Sequence, residues 1–213
     1  FNALLGYTQL MRKQFYIFRQ DKLKQHIDRV YTSSQRLYAL LENLLTWSRI
    51  QRGVMEYEPE QLNLPEIAEE NVDLFLSKAE QKQITLTNSV PEGLKAYADY
   101  NMVNTVLRNL VSNALKFTKI DGSIKISGRD REEHVEVAVS DTGTGILPED
   151  ISKLFRIDAH YTHTGTGGET GTGLGLNLCH DLVEKNGGGI RVDSTPGQGT
   201  TFTFTLPKGT EKV

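Results

Sequence analysis

The strongest predicted helix of this chain contains the stretch Asn109-Leu-Val-Ser-Asn113-Ala-Leu-Lys116-Phe-Thr118. Asn109, Asn113 and Lys116 follow one another at steps of four and three residues, so they lie on one stripe of the helix. Carboxamide oxygens are hard ligands of the kind that Mg²⁺ accepts, and a lysine ammonium is a point charge for phosphate. The stripe therefore indicates a magnesium–phosphate site, although a solvated polar helix face has the same pattern.

The segments on either side of this stretch predict a mixture of helices and strands. Helices are predicted over 66–81, 100–117, 149–155 and 174–185, and strands over 61–64, 84–90, 95–98, 123–128, 134–140, 189–194 and 200–206. Elements in this order predict an α+β sandwich, with a mixed sheet and helices packed on one of its faces.

The N-terminal residues 1–52 contain no proline and one glycine, and they predict two helices that break near residues 19–22. Along the second helix, a seam recurs at alternating steps of three and four: Ile27, Val30, Ser34, Leu37, Leu41, Leu44 and Ser48. Such a seam is typical of a coiled coil or a helical bundle. A hairpin that dimerises into a four-helix bundle buries the seam. A helical subdomain packed on the rest of the chain fits the pattern equally well.

Composition excludes several classes of protein. The 213 residues are 38% hydrophobic and 24% charged, with a net charge of −3, which is typical of a globular protein and lacks the basic character of a nucleic-acid binder. No run of about 18 apolar residues occurs, so membrane attachment is expected only through parts outside this chain. The single cysteine, Cys179, cannot form an internal disulfide, which favours a cytoplasmic location.

A second stretch, Asp141-Thr-Gly143-Thr-Gly145, directly follows the valine-rich strand predicted over 134–140. Asp141 continues the alternation of the valines and is expected on the buried side, where a carboxylate needs a hydrogen-bond donor. An adenine amino group is a suitable donor, and Gly143 and Gly145 permit close approach of a flat ring. A tight turn that happens to begin with an aspartate is the alternative.

A third stretch, Gly171-Thr172-Gly173-Leu174-Gly175, opens the helix predicted over 174–185. Main-chain N–H groups at the start of a helix bind phosphate. The glycine- and threonine-rich residues 156–172 before it predict a lid, because long loops in compact domains are usually functional or disordered. The stretch is neither a dinucleotide-binding fingerprint, since no strand immediately precedes it, nor a Walker A loop, since no lysine follows.

A fourth stretch, Gly197-Gln-Gly199-Thr200-Thr-Phe202-Thr-Phe204, predicts a turn followed by a strand. Thr200 shares the parity of Phe202 and Phe204, so its hydroxyl is expected to face the same interior as Asp141. A hairpin turn with a β-branched strand is the alternative explanation.

The order of the four stretches resembles the N, G1, G2 and G3 boxes of the histidine-kinase catalytic domain. Phe155 falls where that family has its F box, and the sequence from Phe1 to Tyr7 resembles the residues that follow its phosphoacceptor box. The resemblance covers essentially the whole chain and implies three parts. These are a truncated dimerisation and phosphotransfer hairpin over 1–52, a linker and first strand over 53–64, and an ATP-binding domain of the Bergerat fold over 65–213.

The resemblance implies a role for each candidate residue. Asn113 would coordinate Mg²⁺, Asn109 would organise the same metal shell, and Lys116 would contact a phosphate. Asp141 would bind the adenine amino group, helped by a water that Thr200 holds. The other implied ATP contacts belong to the adenine pocket, the lid and the phosphate loop: Gly143, Gly145, Tyr161, Gly171, Thr172, Gly173, Leu174 and Gly175.

The implied activity is that of an ATP:protein-histidine phosphotransferase with ATP and Mg²⁺ as cofactors. The implied partners are a second copy, bound through the hairpin, and a response-regulator receiver domain, whose aspartate receives the phosphoryl group. The acceptor histidine is expected ahead of Phe1, because none of the five histidines has the flanking pattern, so this chain is expected to bind ATP without autophosphorylating.

Two alternatives stay open beside the kinase. One is a nucleotide-binding regulatory or docking module without turnover. The other is an ATPase of the same fold. Asn109 stands where ATP-hydrolysing relatives such as gyrase carry a glutamate, and an asparagine cannot act as a general base. The resemblance therefore favours transfer to a side chain over transfer to water.

Overall fold

The computed structural model describes residues 2–14, 20–155, 163–169 and 173–209. The chain divides into two compact units, Phe1–Val54 and Met55–Val213. Within the described ranges, no helix is both long enough and apolar enough to cross a lipid bilayer.

Residues 2–14 and 20–54, the described part of the first unit, form two helices, α1 (Asn2–Gln14) and α2 (Gln20–Gln51). They contact each other where the ring of Tyr7 lies 5.7 Å from that of His26, between centroids, and the guanidinium of Arg29 lies 5.4 Å from the Tyr7 centroid. The predicted break near 19–22 is wrong in its C-terminal part, because residues 20–22 form the first turn of α2. Part of the predicted seam is exposed in this chain, since Ile27, Leu41 and Leu44 each keep about half of their surface.

The second unit is built on a five-stranded mixed sheet and a two-stranded ribbon. Its strands are β1 (Pro59–Asn63), β2 (Thr85–Ser89), β3 (Lys95–Asp99), β4 (Ser123–Asp130), β5 (His134–Asp141), β6 (Ile190–Thr195) and β7 (Gly199–Pro207). The sheet has the order β2-β4-β5-β7-β6, with β2 parallel to β4 and every other pair antiparallel. β1 and β3 form the antiparallel ribbon.

Where the structure describes this unit, its helices are α3 (Leu64–Gln81), α4 (Tyr100–Phe117), α5 (Pro148–Ile151) and α6 (Gly175–Lys185). One face of the sheet carries the core, because Val135, Val137 and Val139 of β5 are buried while the residues between them are half-exposed. α4 packs against β5 and α6, and α3 packs against α4 and β2. The predicted α+β sandwich, with a mixed sheet and helices, is confirmed.

The central helix α4 forms over the predicted residues for two reasons. Apolar side chains recur at helical spacing and form its buried side: Met102, Val103, Val106, Leu107, Leu110, Val111, Ala114 and Leu115. Asp99 supplies the N-cap, since its carboxylate accepts a hydrogen bond from the main-chain N–H of Met102 at 3.1 Å. The helix ends at Thr118, where the backbone becomes extended.

Two predicted elements differ from the structure. The helix predicted over 149–155 is limited to α5, because the N–H groups of Lys153 and Leu154 bond to oxygens three residues earlier, as in a tight turn. The strand predicted over 61–64 is β1, which begins earlier and ends at Asn63. Leu64 is instead the first residue of α3, where the following Pro65 fits the first turn of a helix.

Candidate functional site

The polar stripe of α4 lies at the edge of the core. Asn109, Asn113 and Lys116 are half-buried, next to the fully buried Leu110. The amide nitrogen of Asn109 donates to the main-chain oxygen of Thr105 at 2.9 Å. This bond leaves the carboxamide oxygen of Asn109 as the atom directed away from its own helix.

The start of α6 lies opposite Asn109. A Cβ on Gly175 would lie only 2.9 Å from the carboxamide oxygen of Asn109, so glycine lets the two helices approach here. Leu174, at the N-cap position, offers no polar side chain, and the first N–H groups of a helix have no helical partner. Gly173 has a φ of 75°, in the left-handed region that favours glycine. The start of α6 therefore has the character of an anion site.

Asp141 is the last residue of β5 and shares the parity of its buried valines. Its carboxylate accepts a hydrogen bond from the main-chain N–H of Gly143 at 2.8 Å, and the N–H of Thr200 also points to it. Burial raises the pKa of Asp141 to about 6, although the hydrogen bonds from these two N–H groups lower it. A partly desolvated carboxylate of this kind binds a further donor strongly.

Gly143 and Gly145 are required by the packing of the protein itself. A Cβ on Gly143 would lie 2.5 Å from the main-chain oxygen of Phe117, and Gly145 has a φ of 65° against the turn between β6 and β7. The N–H of Thr144 donates to the oxygen of Phe117 at 3.2 Å, and the N–H of Gly197 donates to the oxygen of Thr144 at 2.7 Å. The end of α4 and the β6–β7 turn thus hold this loop between them. A role of the two glycines in lining a ligand pocket stays a prediction.

Thr200 lies directly opposite Asp141 in the register of β5 and β7 and is 6% exposed. Its hydroxyl is 2.9 Å from that of Ser194, which accepts a hydrogen bond from the N–H of Ile146 at 2.9 Å. Ser194 is not among the residues predicted from the sequence. The pairing of β6 with β7, which places Ser194 opposite Thr200, is the signal that could have identified it.

The described part of the predicted lid, residues 163–169, contacts the end of α4. The ammonium of Lys116 donates to the main-chain oxygen of His163 at 2.8 Å and lies 4.5 Å from the ring centroid of Phe117. The N–H of Thr166 donates to the main-chain oxygen of Lys116 at 2.9 Å. Lys116 therefore lies between its own helix and this segment.

The second half of α4 brings the described candidate residues together. Asn109 faces the start of α6, Lys116 contacts residues 163–169, and Phe117 contacts the loop that follows Asp141. Three predicted residues, Tyr161, Gly171 and Thr172, lie outside the described residues. The arrangement places a partly buried acceptor, two carboxamides, an ammonium and a helix N-terminus on or beside one helix.

A sequence model of the family described as "Histidine kinase-, DNA gyrase B-, and HSP90-like ATPase" matches residues 98–210, which is more than half of the chain. The match includes α4, β5, α6 and β7, and therefore every element that carries a described candidate residue.

The chain is also similar to individual proteins. The chain is 34% identical to the non-motile and phage-resistance protein of Caulobacter vibrioides, over 97% of this chain and 25% of that protein. It is 31% identical to the sensor histidine kinase GacS of Pseudomonas protegens, over 97% of this chain and 23% of that protein. The chain thus spans about a quarter of the length of these relatives. The solved structure of histidine kinase ThkA in complex with response regulator protein TrrA is similar with a TM-score of 0.77, at 28% identity, covering 100% of this chain and 58% of that chain.

Proposed function

Because this chain belongs to the histidine kinase-, DNA gyrase B-, and HSP90-like ATPase family, we propose that it is the catalytic core of a sensor histidine kinase. In this proposal it binds Mg-ATP and transfers the γ-phosphoryl group to a histidine. The observation that carries the proposal is the position of Asp141. Its partly buried carboxylate lies at the end of β5, and the loop after it contacts the same end of α4 that carries Lys116.

The adenine base is proposed to bind at Asp141. The carboxylate already accepts the N–H of Gly143 and has further acceptor capacity for an exocyclic amino group. The paired hydroxyls of Thr200 and Ser194 lie beside it and offer a place for a bridging water. Guanine has a carbonyl oxygen where adenine has this amino group, so an ionised carboxylate discriminates against it.

The residues of α4 fit a magnesium ion. Asn109 uses its amide nitrogen within the helix, and its carboxamide oxygen is a hard ligand of the kind that Mg²⁺ prefers. We assign metal coordination to Asn113, one turn further along the same stripe, with Asn109 supporting it. When bound, the ion neutralises negative charge on the phosphate oxygens. Lys116 and the first N–H groups of α6 are proposed to hold the phosphates.

The α4 stripe is suited to positioning a phosphoryl group and unsuited to activating water. Asn109 is a neutral amide and cannot accept a proton as a general base. Phosphoryl transfer depends mainly on alignment and on stabilisation of charge. We propose an imidazole nitrogen ahead of Phe1 as the nucleophile. The bond between the γ-phosphorus and the bridging oxygen breaks as the phosphorus–nitrogen bond forms, and ADP leaves.

Two partners are part of the proposal. The exposed Ile27, Leu41 and Leu44 of α2 support a homodimer, because a four-helix bundle would cover them. The similarity to ThkA, whose solved structure contains a response regulator, supports relay of the phosphoryl group to a receiver-domain aspartate.

The test is an assay with γ-labelled ATP on this chain and on a protein extended to include the sequence ahead of Phe1. We expect acid-labile phosphohistidine on the extended protein and no label on this chain, with ATP binding by both lost in Asp141→Asn. Steady release of phosphate without phosphohistidine would contradict the proposal and favour an ATPase. ATP binding with neither reaction would contradict it in favour of a docking module.

A further inference from the structure

A lysine outside the predicted site holds residues 163–169 in place. The ammonium of Lys82, at the C-cap of α3, donates to the main-chain oxygen of Leu115 at 2.7 Å, to the hydroxyl of Thr166 at 3.1 Å and to the carboxylate of Glu169 at 3.0 Å. The side chains of Lys82 and Glu169 are 24% and 39% exposed, so water screens this ion pair less than a fully exposed one. One ammonium thus joins α3, α4 and the segment.

Thr166 and Glu169 complete this contact, and we call Lys82, Thr166 and Glu169 the segment anchor. The hydroxyl of Thr166 donates to the main-chain oxygen of Thr118 at 2.8 Å. The carboxylate of Glu169 also accepts the N–H of Gly167 at 2.8 Å. The anchor therefore fastens a hydrogen-bonded turn of the segment to the end of α4.

The anchored segment contacts both ends of the Lys116 side chain. Its ammonium donates to the main-chain oxygen of His163 at 2.8 Å. A Cβ on Gly165 would lie 2.5 Å from Cγ of Lys116, so the segment also packs on the aliphatic stem. The conformation of Lys116 therefore depends on where the segment lies.

We propose that the segment anchor positions Lys116 for the phosphates of the nucleotide. This inference rests on the proposed function, in which Lys116 binds phosphate. A lysine loses much rotamer freedom when it is immobilised, and a side chain ordered in advance avoids that loss on binding. The phosphate then takes the place of the His163 oxygen as the acceptor, while Lys82, Thr166 and Glu169 stay in contact.

Glu169 is the residue to change, because its carboxylate contacts Lys82 and its own segment, whereas Lys82 also bonds to α4. Glu169→Ala removes the acceptor, and Glu169→Gln keeps an acceptor without the charge. Glu133→Ala, at an exposed glutamate between β4 and β5, is the matched control.

Calorimetry with a non-hydrolysable ATP analogue and with adenosine separates positioning from a general structural role. We expect Glu169→Ala to weaken the ATP analogue about 3- to 10-fold, and Glu169→Gln less, with adenosine and the control unchanged. In a Lys116→Ala background, Glu169→Ala should have no further effect, because its influence is exerted through Lys116. An equal loss for adenosine, or an undiminished loss in the Lys116→Ala background, would overturn the positioning role and leave the proposed function intact.

Hydrogen exchange of the Thr166 amide, without nucleotide, tests the contact on its own. This N–H bonds to the main-chain oxygen of Lys116, and Glu169→Ala should speed its exchange while Glu133→Ala should not. Unchanged exchange would overturn the anchor even if nucleotide binds normally. A wild-type protein that binds neither ligand would instead contradict the proposed function, and with it the nucleotide role of the anchor.

Discussion

The two ends of the candidate site are built from different kinds of contact. At Asp141, the main-chain N–H groups of Gly143 and Thr200 point at the carboxylate. The register of β5 and β7 places Thr200, and the loop that follows β5 places Gly143. At Lys116, long side chains make the contacts, from Lys116 to the oxygen of His163 and from Lys82 to Glu169. Main-chain contacts are set by the fold, whereas long side chains can change rotamer.

This difference indicates that the main chain of the sheet and of the loop after β5 determines how the base is bound, and that side chains adjust how the phosphates are bound. Changes at Asp141 should then affect every adenine ligand. Changes on α4 or at the start of α6 should affect only the part of the affinity that depends on phosphate and magnesium. Adenosine, which lacks phosphate, is the ligand that distinguishes the two ends.

The largest expected effect is that of Asp141→Asn on adenine binding. Replacing the carboxylate by a neutral amide should weaken both adenosine and an ATP analogue by about 100-fold or more, since a site built for a specific hydrogen bond loses it. Calorimetric titration of both ligands measures the effect, and circular dichroism checks that the variant is folded. Unchanged affinity for adenosine would place the base away from Asp141.

Asp141→Asn should weaken adenine binding, but it should stabilise the folded protein. Burial raises the pKa of Asp141 from 3.8 to about 6, so the folded protein binds this proton more tightly than the unfolded chain does. The stability contributed by this group is complete below the unfolded pKa and is lost as pH rises through the folded pKa, by at most about 3 kcal/mol.

Denaturant unfolding of wild type and Asp141→Asn, from about pH 4 to about pH 8, tests this sign. The wild type should lose stability relative to the variant as the pH rises. A difference between the two proteins that does not depend on pH would show that the carboxylate is not desolvated in the folded state.

A smaller effect, limited to the phosphate end, is expected from Asn113→Ala. Loss of a metal ligand should lower the affinity for the ATP analogue with Mg²⁺ about 10-fold and leave the affinity without Mg²⁺, and that for adenosine, unchanged. Asn101→Ala, at an exposed asparagine in the first turn of α4, is the matched control. Retention of the full magnesium dependence would exclude Asn113 as a ligand.

The smallest effect is expected from Gly175→Ala. The added methyl group would lie 2.9 Å from the carboxamide oxygen of Asn109 and would displace it by a few tenths of an ångström. Affinity for the magnesium complex of the analogue should fall about 3-fold, with adenosine unaffected. Gly189→Ala is the control, because its added Cβ meets no atom within 4 Å. A loss as large as that of Asn113→Ala would mean that α6 carries more of the binding than proposed.

Periodic patterns made much of the fold predictable. Apolar residues at helical spacing placed a helix over 100–117, where the structure has α4, and strand alternation placed Asp141 on the face of the buried valines. The resemblance to histidine kinases is confirmed by the family match and the relatives. The individual ligand contacts stay predictions.

Contacts between distant residues were not predictable. Lys82 and Glu169 are 87 residues apart, and neither belongs to a periodic pattern that would mark it as part of a site. Gly143 was attributed to the approach of a flat ring, yet the main chain of Phe117 already requires a glycine there. Contacts of this kind, and the need for a glycine that they create, arise only when distant segments meet in the folded protein. They therefore cannot be predicted from the pattern of a single sequence.

The most direct test of the account is calorimetric titration of this chain with a non-hydrolysable ATP analogue, with and without Mg²⁺, and with the corresponding GTP analogue. We expect micromolar binding that depends on magnesium and selects adenine over guanine. Absence of binding, or equal affinity for the two bases, would contradict a nucleotide site built on Asp141 and α4.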